Sequence, residues 1–101
     1  MAKGYFIITE DIKDEDGMNA YSGRAFPTIL QRGGKLIVAE RNAEVLEGRW
    51  HGNQTIVLEF DSVDAARAWY NSDAYQAVIG QRHAAADSNA VIVSGFEMPS
   101  S

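Results

Sequence analysis

The sequence predicts an α+β fold in the order β-α-β-β-α-β, on three observations. Short apolar runs alternate with the two-residue period of half-buried strands. Between them lie capped stretches whose apolar residues recur at helical spacing. No linker, repeat or low-complexity tract interrupts the pattern, so residues 1–101 read as a single domain. That order is the ferredoxin-like arrangement, an antiparallel sheet with helices on one face and right-handed crossings.

The first strand is expected over Gly4–Glu10, with Phe6 and Ile8 on one face and Tyr5, Ile7 and Thr9 on the other. The first helix is expected from about Asp16 to Arg32, where Met18, Tyr21, Ala25 and Ile29 recur at helical spacing. Gly33-Gly34 supplies its left-handed stop, and Pro27 predicts a kink or a break near Gly23. Lys35–Glu40 reads as the second strand, a turn-rich segment covers residues 41–53, and Gln54–Phe60 reads as the third strand. Ser62 is the expected N-cap of the second helix, with Asp64 in its first turn and Val63, Ala66, Trp69 and Tyr70 as its apolar stripe. Asn71-Ser72-Asp73 marks a break and a fresh cap. A further helical turn then carries Tyr75, Val78, Ile79 and Arg82, and the last strand is expected over Ala90–Phe96.

Bulk composition excludes several classes of function. A net charge of −5 with scattered basic residues argues against nucleic-acid binding, which needs a positive face. No apolar run approaches the roughly 20 residues of a membrane-spanning helix, and the N-terminus lacks the pattern of a secretory signal. The absence of cysteine removes disulfides, thiolate nucleophiles and Cys-based metal sites together. Without a leader or span, the chain is expected to be cytoplasmic.

The strands are apolar on both faces, yet helices cover only one face of such a sheet. Tyr5, Ile7, Val57, Val91 and Val93 lie opposite Phe6, Ile8, Ile56, Leu58 and Ile92. Packing two sheets face to face removes an exposed apolar patch and predicts a homodimer. The alternative is a sheet face covered by the chain's own loop and termini.

Glu47-Gly48-x-Trp50, the strand ending at Phe60, Ala66-Arg67-Ala68-Trp69-Tyr70-x-Ser72-x-x-Tyr75, Arg82 and Gly95 together resemble the domain of unknown function 1330 family, within the dimeric α/β-barrel superfamily. Tyr21, Pro27 and Gly33-Gly34 extend the resemblance over almost the whole chain. It departs at Asn71-Ser72-Asp73, where many relatives have Pro after the Ser. The resemblance implies a ferredoxin-like fold and a dimeric barrel but no settled activity. Superfamily relatives include cofactor-free quinol-type monooxygenases, muconolactone isomerases, stress-responsive barrels and haem-dependent members.

Arg82 is the sharpest candidate for chemistry, because a guanidinium on an apolar helical face can bind a carboxylate or enolate bidentately. Its structural alternative is packing of the stem while the head pairs with Glu47, Glu59 or a nearby Asp. His83 is a candidate acid or base but sits about 100° further round the helix. His51 has a similar status in the turn-rich segment. With only two histidines and no carboxylate at ligand spacing, no metal site is expected, and haem ligation has no specific support. Trp50, Trp69, Tyr70 and Tyr75 are candidate walls for a planar organic ligand, with Tyr21 facing the same region across the sheet. Aromatics at helical spacing are also ordinary core residues. Glu59, in an otherwise apolar strand, is expected to pair with Arg82 or Arg24. The acidic run Glu10-Asp11 to Asp16 reads as a solvated loop and helix start.

Phosphate-loop, nucleophile-elbow, zinc-protease and calcium-loop signatures are absent. The functional expectation is a small-molecule enzyme of monooxygenase or isomerase type, without cofactor, acting on a small aromatic or anionic metabolite. A non-catalytic binding protein and a structural dimer module are the alternatives.

Overall fold

A computed structural model describes residues 2–99. Along the chain lie β1 (Gly4–Ile12), α1 (Glu15–Gln31), β2 (Lys35–Glu40), β3 (Gln54–Phe60), α2 (Val63–Tyr70), α3 (Asp73–Gln76), α4 (Ile79–Ala85) and β4 (Ala86–Ser94). The strands form one sheet in the order β2-β3-β1-β4, antiparallel at every pairing. This is the ferredoxin-like fold the sequence predicts.

Local chemistry sets most of the boundaries. Asp14 caps α1 by accepting from the Gly17 amide at 3.0 Å, and Ser62 caps α2 by accepting from the Ala65 amide at 3.0 Å. Gly33, at φ +75°, lets the chain leave α1 in the left-handed conformation. The Ser72 hydroxyl accepts from the Tyr75 amide at 3.2 Å and donates to the Trp69 carbonyl at 2.6 Å, fixing the break between α2 and α3.

Four expectations need correction. Of the kink or break expected near Gly23, the break is absent: helix α1 runs through Pro27 as one element. Strand β1 extends beyond Glu10 to Ile12, because β4 stays paired with it through Ile12 opposite Ala86; on the β3 side the Asn53 Oδ1 accepts from the Ile12 amide at 2.9 Å and its Nδ2 donates to the Ile12 carbonyl at 3.3 Å. The helical turn carrying Tyr75 and Arg82 divides at Val78 into α3 and α4, and β4 starts at Ala86 rather than Ala90.

The helices cover one face of the sheet. Phe6, Ile8, Leu58 and Phe60 pack there with Ala66, Trp69 and Tyr75. On the other face Val91, Val93 and Val38 are 54%, 40% and 39% exposed, beside Tyr5, Ile7 and Val57. The chain's own loop reaches only one end of that face: Trp50 Nε1 donates to Thr55 Oγ1 at 2.9 Å, and His51 Nδ1 lies 2.8 Å from Thr9 Oγ1. No helix among the described residues is long and apolar enough to cross a membrane.

Candidate functional site

Helix α1 packs chiefly against α4 and α3 rather than lying flat on the sheet. The space it leaves above β1, β3 and β2 is a cavity of about 390 Å³, within the usual range for small-molecule sites. Its walls are mainly apolar and carry four aromatic rings: Phe6 from β1, Tyr21 and Phe26 from α1 and Trp69 from α2, with Ile56 and Leu58 from β3 among the more numerous aliphatic residues. Among the described residues Glu10 is the one charged residue on the wall, with Gln54 beside it.

Glu10 alternates with Phe6, Ile8 and Ile12 on the inner face of β1 and is only 3% exposed. Gln54 Nε2 donates to its Oε1 at 2.8 Å. The Asn53 amide donates to the Glu10 carbonyl at 2.7 Å, so the backbone here is clamped by the chain entering β3. Gly52, at φ +82°, permits that approach, because a Cβ there would meet the Glu10 carbonyl oxygen. Burial raises the pKa of Glu10, opposed by the Gln54 hydrogen bond and by the charges of Arg82 and Arg41. Ser88 stands opposite Glu10 in the β1–β4 register, and its hydroxyl is buried without a hydrogen-bond partner among the described residues.

A second polar group begins at Tyr21. Its hydroxyl lies 2.7 Å from that of Tyr75, and Arg82 Nε donates to the Tyr75 oxygen at 3.2 Å. Arg82 is 3% exposed, and among the described residues no carboxylate lies within ion-pair distance of it. A buried guanidinium held mainly by phenols is costly to keep. Burial, then Tyr75, pushes the Tyr21 phenol well above its ordinary pKa, so it is a neutral donor near pH 7.

Trp69 connects the cavity to the core. Its ring stacks on Phe60 at 5.5 Å, meets Phe6 edge-on at 5.2 Å and lies 4.2 Å from Tyr75. Its Nε1 donates to Thr28 Oγ1 at 3.0 Å, so α1 and α2 together fix the indole.

The structure therefore brings together Tyr21, Trp69, Tyr75 and Arg82. Tyr21 and Trp69 form part of the wall, whereas Tyr75 and Arg82 are buried behind it. Tyr21 reaches Tyr75 on the helical side of the sheet, not across it. Tyr70 is half-buried, 5.6 Å from the Tyr75 ring and 5.9 Å from Phe6, and is not on the wall. Trp50 is joined to Thr55, on the opposite sheet face, and His83 is exposed on α4. Glu59 pairs with neither Arg82 nor Arg24: it accepts from the Tyr5 hydroxyl at 3.2 Å on the open face. The reading of Glu10 as part of a solvated run is also corrected, since the strand continues past it. Strand alternation carried the signal, because a face bearing Phe6 and Ile8 places Glu10 in the same row. Among the described residues no group of three or more His, Cys, Asp or Glu side chains is placed to hold a metal ion.

These features define a ferredoxin-like α+β domain with an apolar cavity, lined by aliphatic and aromatic side chains, between its first helix and its sheet. The chain belongs to the domain of unknown function 1330 family, whose profile matches residues 3–96. Its fold is similar to that of a protein of unknown function from Rhodopseudomonas palustris, at 17% identity and a TM-score of 0.80 over 96% of this chain and 85% of that one. It is similar to SnoaB, a cofactor-independent oxygenase from Streptomyces nogalater, at 11% identity and a TM-score of 0.67 over 97% of both chains. A dimeric ferredoxin-like protein of unknown function from Bacteroides fragilis aligns at 13% identity and a TM-score of 0.60, over 90% of this chain and 94% of that one. No protein with a curated description matches the sequence. At these identities the likeness is one of fold.

Proposed function

We propose that this protein is a homodimeric small-molecule enzyme that binds a planar organic compound in the cavity between α1 and the sheet and acts on it without a resident cofactor. The observation that carries the reading is the composition of the cavity wall: aromatic and aliphatic side chains around Glu10 and the Tyr21 hydroxyl. An apolar wall with few polar groups orients a ligand and excludes water, so proton transfers to those groups are strengthened. Because Glu10 is the one charged residue on the wall among the described residues, the cavity favours an uncharged ligand over an anion. Arg82 acts from behind, through Tyr75 and Tyr21. The likeness to a cofactor-independent oxygenase supports chemistry that uses the reactivity of the substrate itself.

The dimer rests on the open sheet face, where Tyr5, Ile7, Val38, Val57, Val91 and Val93 form an apolar surface that a second sheet would cover. The dimeric relative from Bacteroides fragilis supports it.

Binding of 1-naphthol, measured by equilibrium dialysis against wild type and Ile56→Trp, tests the cavity, because the indole would fill part of it. Wild type binds and the variant loses binding; equal binding by both refutes the site. Native mass spectrometry tests the dimer, which Val91→Asp dissociates by placing a charge in the buried face. A monomeric wild type overturns that part of the reading.

A further inference from the structure

Three candidates stand out across the molecule: the buried polar row formed by Glu10, Gln54 and Ser88; the half-exposed apolar side chains of the 41–53 segment; and the second hollow beside Trp50. The last two have no defined occupant. The first carries an inference, and it rests on the cavity being the ligand site.

We infer that Glu10 is the proton-abstracting base of this cavity and that its substrate class is an uncharged, enolisable cyclic ketone of one or two fused rings. The position of Glu10 is its first support. It reaches the wall from a strand paired on both sides, so its backbone cannot drift, and Gly52, Asn53 and Gln54 hold it further. Its second support is its partners. Gln54 donates to one carboxyl oxygen; among the described residues no cation is within ion-pair distance, and the remaining acceptor positions have no protein donor. A carboxylate placed this way is costly to bury.

The third support is the complementary donor. When Arg82 donates to the Tyr75 oxygen, Tyr75 can donate its own proton to Tyr21, which frees the Tyr21 proton for the cavity. Tyr21 and Glu10 line the same cavity. One wall thus presents an acceptor for a proton and a donor for an oxygen, with a buried positive charge behind the donor.

The reaction balances without a co-reactant. The substrate carbonyl accepts from Tyr21. Glu10 takes a proton from the adjacent carbon, and the C–H electron pair becomes the carbon–carbon double bond of an enolate. The oxygen then bears the negative charge, stabilised by the Tyr21 hydrogen bond and by Arg82. Glu10 returns the proton to the same carbon, or to a conjugated one, which completes an isomerisation. Phe6, Phe26 and Trp69 suit the flat enolate, in which the reacting carbon, the oxygen and the ring lie in one plane. Burial raises the proton affinity of Glu10, which makes it a stronger base than an exposed carboxylate.

Deuterium uptake by 2-tetralone in heavy water, followed by proton NMR, reads this step directly, and equilibrium dialysis of the same compound reads binding. Wild type accelerates exchange over buffer. Glu10→Gln keeps the amide hydrogen bond to Gln54 and binds the ketone, but its exchange falls by about 100-fold or more, the usual contribution of a general base. Glu10→Asp retains part of the rate, and Tyr21→Phe lowers the rate while leaving the ketone bound. If Glu10→Gln does not fold, these two variants carry the test. Binding by wild type without accelerated exchange overturns the role of Glu10 and leaves the cavity intact. Exchange by Glu10→Gln at the wild-type rate does the same. Absence of binding overturns the cavity reading, and this inference with it.

Discussion

Replacing Tyr75 with Phe removes one oxygen and leaves the ring in place, and its cost can be worked out from the structure. That oxygen makes two bonds, one with the Tyr21 hydroxyl at 2.7 Å and one from Arg82 Nε at 3.2 Å. A neutral hydrogen bond contributes about 1 kcal/mol, and one to a charged group about 1.5–3 kcal/mol. The predicted loss is therefore about 2.5–4 kcal/mol, much of it from leaving a buried guanidinium without its partner. In urea, with a slope of about 1–3 kcal/mol/M, the unfolding midpoint falls by about 1–4 M at fixed protein concentration. Tyr21→Phe removes only the neutral bond and should cost about 1 kcal/mol. Because both single variants lose that same bond, the double variant should cost about 1 kcal/mol less than their sum. A loss below about 0.5 kcal/mol for Tyr75→Phe would mean that the hydroxyl does not bridge Arg82 and Tyr21.

Glu10→Gln tests burial of the carboxyl through pH. Its folded pKa is raised, so its protonated form contributes stability that is fully present below the ordinary value near 4.5 and is lost as pH rises through the folded value. The variant does not titrate there, so chemical denaturation should show it gaining on wild type over that window and then levelling off, by about 1.4 kcal/mol for each tenfold rise in the proton affinity of Glu10 on folding. A difference independent of pH would contradict the burial. Arg82→Met replaces a buried cation that lacks a carboxylate partner, so its stability by thermal melt should stay within about 1 kcal/mol of wild type or rise, while deuterium exchange into the bound ketone slows. A loss of about 3–5 kcal/mol would instead mark Arg82 as a structural charge. Gly52→Ala should be strongly destabilising, because φ is +82° and the new Cβ meets the Glu10 carbonyl. Gly23→Ala should be stabilising by about 0.5–1 kcal/mol, being an exposed helical position with open space for the methyl group; melts of the two should move in opposite directions.

What the sequence determined by itself is local. Lys35–Glu40 and Gln54–Phe60 are read correctly to their ends, Ser62 caps the helix it was expected to cap, and the fresh cap expected within Asn71-Ser72-Asp73 falls on Ser72. In each case the deciding group is a neighbour in the chain: a hydroxyl facing an unpaired amide, or the alternation of a strand. Tertiary structure decided the site. Glu10 has the acidic company of a solvated segment; alternation sets its row, but it is buried only because β1 continues to Ile12 with α1 packed above the sheet. Trp50 and Trp69 are the same residue type, yet Trp50 attaches to Thr55 on the open face and Trp69 joins the cavity wall. Arg82 is separated from Tyr21 by sixty-one positions and reaches it through Tyr75 only once α1 and α4 pack together. Sequence spacing sets which face of an element a side chain occupies. Which elements meet on that face, and therefore which groups share a low-dielectric space, depends on long-range packing that no local pattern encodes.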